Sequence, residues 1–240
     1  MEDALRVNLN VFTGDSKDFE GFALRTRVDY SSATPRPWAA WISEIDVLTR
    51  QREIRDWNAP IVVTGRCPAA LGVLFAQKIR TGTRKLTYVD TFRGETHYEV
   101  SNNETSEWHV PDSLTLMRLT ETIDTFVAPS LPLILIFLNF GVERTITPQQ
   151  LGALTPLCVA TWRPAANVSS VFKSEYALQL RDNFYVLLRN LHRNHPGARF
   201  GFATTGPIAA AMLFATVYNA HIYGKLALFE LVNGIYAEVA

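Results

Sequence analysis

The sequence predicts an α/β fold made of two similar halves with parallel strands, and three observations carry that prediction. First, one stretch is written twice. Ile61 to Thr64 are β-formers that stop at Gly65, and Pro68 opens an apolar run of helical character. Phe200 to Ala203, Gly206 and Pro207 repeat the layout, with Ala70 matching Ala209 and Leu74-Phe75-Ala76 matching Leu213-Phe214-Ala215 without a gap. One residue of slippage later, Lys85 to Asp90 matches Lys225 to Glu230. Second, strands and helices alternate along each half, which favours parallel sheets joined by crossover helices. Third, Leu133 to Leu138 is a continuous apolar run between Pro132 and Gly141, the pattern of a strand buried on both faces.

The elements follow in order. Leu5 to Phe12 alternates apolar and polar residues and stops at Thr13-Gly14, a half-buried strand. Asp15 to Pro37 is polar, with short strand character at Phe22 to Tyr30. Trp38, Trp41, Ile42, Ile45 and Leu48 recur at helical spacing between Trp38 and Trp57, a packed helix face. Pro60 launches the strand Ile61 to Thr64. The first proline-led helix runs from about Pro68 to Arg80, Gly82 breaks it, and Leu86 to Phe92 is the next strand. Tyr98 to Val100 and Glu107 to Val110 read as a hairpin around Asn102-Asn103, and Ser113 to Leu119 as a closing strand. A boundary near Asp124 divides the chain into halves 1–124 and 125–240.

In the second half, Thr147-Pro148 is a helix start capped by Thr147, or a turn. Leu157 to Trp162 reads as a strand. Tyr176, Leu180, Phe184, Leu187, Leu188 and Leu191 mark an amphipathic helix over Ser174 to Asn194, stopped by His195-Pro196-Gly197. The strand Phe200 to Ala203, the second proline-led helix and the strand Leu226 to Leu231 complete a half that mirrors the first. Two such halves suggest a pseudo-two-fold pair sharing one crevice.

Proline is tolerated where a helix begins, because its missing N–H would have had no partner there. The small residues before it allow a tight turn and a close approach by a ligand. A helix N-terminus carries unpaired N–H groups and partial positive charge, so it attracts phosphate. In open α/β sheets these turns lie at the carboxyl ends of the strands, where ligands bind.

Composition narrows the function. The 240 residues carry 23 basic and 23 acidic side chains, a formal net charge of +0. A long nucleic acid would call for a basic face that these totals do not supply, whereas a small anion needs only a few placed arginines. Two cysteines, Cys67 and Cys158, fit neither a disulfide framework nor a zinc site. Met1 to Arg6 lacks the plan of a signal peptide, and Phe126 to Phe140 is too short to span a bilayer. A soluble cytoplasmic protein is expected. His97, His109, His192, His195 and His221 show no metal-ligand spacing, and His192 and His195 suit a helix C-terminus. No nucleophile elbow, P-loop or full dinucleotide fingerprint is present. Cys67, at a helix N-terminus, reads as a reactive thiol or as a small packing residue.

At this point the sequence resembles a SAVED domain, the sensor module of bacterial anti-phage defence. The matching residues are Trp41 through Ile45 leading into Ile61-Val-Val-Thr-Gly-Arg-Cys-Pro-Ala-Ala-Leu-Gly72, and Thr204-Thr-Gly-Pro-Ile-Ala-Ala-Ala211 with Leu226 to Glu230. The likeness covers about Leu5 to Leu231. It implies two fused CARF-like, Rossmann-like halves related by a pseudo-two-fold. It also implies a pocket between them for a cyclic oligonucleotide second messenger of CBASS or type III CRISPR systems, with no further cofactor and no metal. Head-to-tail assembly on ligand binding would then switch on a protease, nuclease or TIR effector. These 240 residues hold the sensor alone. Either the effector is supplied in trans, or the chain is a sensor fragment, or it only captures the messenger.

Carried over by position, the pocket candidates are Thr64, Gly65, Arg66, Cys67 and Pro68, with Thr204, Thr205, Gly206 and Pro207. Their amides and hydroxyls would hold phosphates. Phe12, Thr13 and Gly14 end the first strand, and Asn139, Phe140 and Gly141 end its counterpart; an aromatic there would stack on a base and the amide read its edge. Both phenylalanines also read as core. Arg66 is the charged candidate inside the turn, or a solvated loop arginine. Trp162 and Arg163 would stack and pair, although packing suits the tryptophan better. No catalytic residue is assigned. A metal-independent ring nuclease, a nucleotide-dependent Rossmann-type enzyme and a purely structural subunit are the competing readings.

Overall fold

The computed structural model describes residues 4–13, 21–31, 35–55, 59–79, 85–90, 96–100, 119–125, 132–140, 145–164 and 174–240. The first sheet contains β1 (Leu5–Asn8), β2 (Phe22–Ala23), β3 (Ile61–Thr64), β4 (Leu86–Asp90) and β5 (Thr96–Val100), in the order β2-β1-β3-β4-β5. Between them run α1 (Trp38–Thr49), α2 (Arg52–Arg55) and α3 (Ala69–Lys78). The second sheet contains β6 (Leu119–Thr125), β7 (Leu133–Leu138), β8 (Cys158–Pro164), β9 (Arg199–Thr204), β10 (Ala227–Val232) and β11 (Ile235–Glu238), in the order β11-β10-β9-β7-β8-β6. Its helices are α4 (Pro148–Leu151), α5 (Ser174–Asn194), α6 (Ile208–Val217) and α7 (Ala220–Tyr223).

The two sheets correspond strand for strand. Parallel β1, β3 and β4 match parallel β7, β9 and β10; β2 matches β8 as the parallel neighbour on the near side; β5 and β11 both close their sheets antiparallel. β6 is an addition, antiparallel to β8, so the strand at the expected boundary belongs to the second sheet. β5 pairs back onto β4, whereas the expected partner at Glu107 to Val110 lies outside the described residues.

Alternation along β7 explains its unbroken apolar sequence. Ile134, Ile136 and Leu138 face the main core, while Leu133, Leu135 and Phe137 face a smaller cluster with Leu151 of α4, Val159, Phe229 and Tyr236. With both faces covered, every residue of the strand is buried. The main core runs through both halves: Val7, Trp41, Ile61, Leu71 and Phe75 join Phe184, Phe200, Phe202 and Phe214.

α5 coincides with the helix read from the sequence, and Leu180, Phe184, Leu187, Leu188 and Leu191 form its buried stripe. Thr147 caps α4 in a capping box with Gln150, and Pro148 stands in its first turn. Pro68 and Pro207 differ slightly from expectation. Each sits at the N-cap, extended at ψ 144° and 148°, and the helix begins one residue later.

Candidate functional site

The carboxyl ends of β1, β3, β7, β8 and β9 carry the described residues that the sequence singled out. In the first half the segment after β1 is fixed by its own asparagines. Asn8 Oδ1 accepts the Asn10 N–H at 2.8 Å, and Asn10 Oδ1 accepts the Phe12 N–H at 3.4 Å. Phe12 is buried, bridges Val28 and meets Tyr30 edge-on at 5.0 Å. Thr13 is exposed and donates its N–H to the Val28 carbonyl. Gly14 lies outside the described residues, as does Gly141.

The β3–α3 turn closes against this segment. Gly65 has φ +113°, and a Cβ there would stand 2.4 Å from the Asn10 nitrogen. Only glycine suits that backbone and that space. The close approach it permits is by the chain itself, where the sequence suggested a ligand. Tyr88 Oη donates to the Gly65 carbonyl at 3.0 Å. Thr64 is buried, and its Oγ1 has no hydrogen-bond partner. Arg66 is half-buried, with its guanidinium 4.3 Å from the Tyr30 ring centroid and 5.9 Å from that of Phe12.

The second half is built likewise. Asn139 is buried; its N–H donates to the Trp162 carbonyl at 2.6 Å, and its Oδ1 accepts the Thr205 hydroxyl at 3.1 Å. Thr204 Oγ1 donates to the Leu138 carbonyl at 2.9 Å and accepts the Gly206 N–H at 2.7 Å. Phe140 lies against Gly206, where a Cβ would stand 2.4 Å from its ring. Thr205 is exposed, while Gly206 and Pro207 are half-buried. Trp162 does not join this rim. It is buried and packs on Phe184 of α5 at 4.3 Å between centroids. Arg163 is half-buried on β8 opposite Thr120.

The two halves meet at the proline-led helices. A Cβ on Gly72, in the first turn of α3, would stand 2.8 Å from Ile208 and 3.1 Å from Met212 of α6. Both helices therefore start at one junction. The mouth of α3 already holds an anionic side chain from the other half: the Ala70 N–H donates to Glu230 Oε1 of β10 at 2.9 Å. Burial raises the Glu230 carboxyl above its ordinary value, and the Ala70 N–H and the charge of Arg36 oppose that rise. Cys67 and Pro68 are buried beside this contact. Burial first, and the Glu230 charge second, push the Cys67 thiol far above its usual range, against the pull of the Gly72 N–H. The helix start that would ordinarily activate a thiol leaves this one protonated.

Sequence reasoning missed three residues of this rim. Tyr30 is 57% exposed and sits under Arg66. Arg36 lies 5.7 Å from the Phe12 ring centroid. Glu230 had a readable signal: it continues the alternation of core-facing Leu226, just before β10, and Leu228 within it. Tyr30 and Arg36 had none, because they stand on irregular segments.

Two of the compared structures are of the Acinetobacter baumannii Cap4 SAVED/CARF-domain containing receptor, one with the cyclic trinucleotide 2′3′3′-cAAA and one with 3′3′3′-cAAA. They superpose with TM-scores of 0.63 and 0.60, at 12% and 13% identity, over 99% of this chain and 51% of theirs. The chain has the SAVED/CARF fold. The Moraxella osloensis Cap4 SAVED/CARF-domain containing receptor agrees at TM-score 0.60 and 12% identity, over 99% of this chain and 49% of that one. This chain thus spans about half the length of these receptors. No sequence-family profile matches it, and no curated protein matches it in sequence. The likeness to these receptors is one of fold, at 12–13% sequence identity.

Among the described residues no group of three or more His, Cys, Asp or Glu is placed to hold a metal ion, and no helix is long and apolar enough to cross a membrane. A groove of about 380 Å³ lies between α5, α7 and the C-terminal end of α6. It is at the opposite end of α6 from the rim.

Proposed function

We propose that this chain is a sensor that binds a cyclic oligonucleotide at the rim where its two halves meet. The observation that carries the reading is the junction of α3 and α6 within a fold shared with receptors whose structures hold a cyclic trinucleotide. The Asn139 side-chain amide and the Arg66 guanidinium offer polar groups to base edges and phosphates, while the Thr204 and Thr205 hydroxyls and the Thr205 and Gly206 N–H groups already donate within the rim and hold its shape. Phe12 and Phe140 back them. At the α3 mouth, Glu230 holds the Ala70 N–H, so phosphate contacts fall to Arg66, Arg36 and the second half. On ligand binding the chain assembles head to tail and activates an effector protein in trans, of protease, nuclease or TIR type, in antiviral defence.

Equilibrium binding to a panel of cyclic di-, tri- and tetranucleotides, with size analysis of each mixture, tests the reading. At least one ring is expected to bind at micromolar affinity or tighter and to shift the assembly state. Failure of every ring to bind overturns it. Chromatography of the bound ring after long incubation should return it intact; a linear product would make the chain a ring nuclease instead.

A further inference from the structure

One group of side chains at the rim has the chemistry of a nucleotide site in its own right. Tyr30 is 57% exposed, yet it is held from several sides. Arg66 lies over its ring at 4.3 Å, and Phe12 meets it at 83° between ring planes. The segment that carries it is tied down along its length. Leu24 and Val28 donate their N–H groups to the Asn8 and Val11 carbonyls at 3.1 and 2.9 Å. Trp41 Nε1 donates to the Thr26 carbonyl at 2.9 Å, and the Glu44 carboxylate accepts the Arg25 N–H at 2.7 Å, the Thr26 N–H and the Thr26 hydroxyl. Ser31 closes a turn on the Asp29 carboxylate at 2.9 Å. An aromatic ring facing solvent on so braced a segment has already lost the freedom that binding would otherwise cost.

We propose that Tyr30, with Arg66 over its ring, is the base-stacking platform of the first half, and that Arg66 pairs with the phosphate next to the stacked base. This deepens the proposed function and rests on it. A nucleotide presents a flat base beside an anion, and here a flat ring stands beside a guanidinium with Arg36 as a second cation near Phe12. The cation–π contact fixes the guanidinium plane, so the fork reaches phosphate without an ordering step. The preference is for the larger stacking surface of a purine.

The test is calorimetric binding of cyclic tri-adenylate and cyclic tri-uridylate to wild-type protein, Tyr30→Phe, Tyr30→Ala and Arg66→Lys, with a thermal melt of each variant. Tyr30→Phe should bind cyclic tri-adenylate within about twofold of wild type, since stacking needs only the ring. Tyr30→Ala should weaken it by about 10- to 100-fold, more than it weakens cyclic tri-uridylate, with the melting midpoint unchanged. Arg66→Lys should weaken both rings, because a point charge replaces the planar fork. Wild-type affinity in Tyr30→Ala, or equal loss for the two rings, overturns the platform and leaves the sensor standing. Wild-type protein that binds neither ring overturns it too; if it also binds no other member of the wider panel, the sensor falls with it.

Discussion

A buried hydroxyl without a partner is costly, and Thr64 carries one. Its side chain alternates with Ile61 and Val63, which face the main core, so it points to the other side of the first sheet. Its Oγ1 is buried and unbonded. Thr64→Val keeps the shape and removes the unsatisfied group, so stability should rise by up to about 1 kcal/mol. Urea unfolding of the two proteins decides it, and a loss of similar size would show that the hydroxyl has a partner in solution. The neighbouring turn shows how far single residues were legible. Gly65 and Gly206 announce tight turns in the sequence. What fills the space beside them, the Asn10 backbone and the Phe140 ring, comes from elsewhere in the chain. Cys67 shows the same limit, because its depth and its Glu230 neighbour reverse the effect of a helix start.

At the scale of elements, α3 is capped by a side chain from another sheet. The folded Glu230 carboxyl titrates above its ordinary value near 4.5. A raised carboxyl favours the folded state below the unfolded value, and that contribution is lost as pH rises through the folded value. Glu230→Gln keeps an acceptor for the Ala70 N–H and does not ionise. Its stability relative to wild type should therefore climb as pH rises above about 4.5 and level off once the folded carboxyl has ionised. Glu230→Ala removes the acceptor and should cost about 1 kcal/mol, the usual value of a lost N-cap. Urea midpoints from pH 4 to pH 8 read both effects, and a wild-type advantage over Gln that grows with pH would contradict the sign. The clear period of α5 and the unbroken apolar run of β7 made both legible nearly to the residue. The C-terminal hairpin was missed, although Asn233-Gly234, both at positive φ, joins β10 to β11 and is the usual hairpin signal. Strands as short as β2 offer too few residues for a period to be read.

For the whole molecule, the junction of α3 and α6 decides whether two sheets behave as one body. A single apolar core runs through both halves, and Gly72 lets the two helices approach. Alanine at this position would favour the helix by about 1 kcal/mol. Its Cβ would meet the branched Ile208 side chain at 2.8 Å. Overpacking of this kind costs about 1–3 kcal/mol, so Gly72→Ala should lower stability on balance. Loss should appear as one cooperative thermal transition shifted downward; two separated transitions would mean that the halves unfold independently. The sequence by itself determined the kind and order of the main elements, the parallel strands and the duplication, because periodicity and turn chemistry act between near neighbours. Only the tertiary structure decided that Glu230 fills the α3 mouth, that Trp162 turns inward and that Tyr30 meets Arg66. Glu230 and Ala70 are 160 residues apart, and a contact across that distance leaves no local pattern from which to read it.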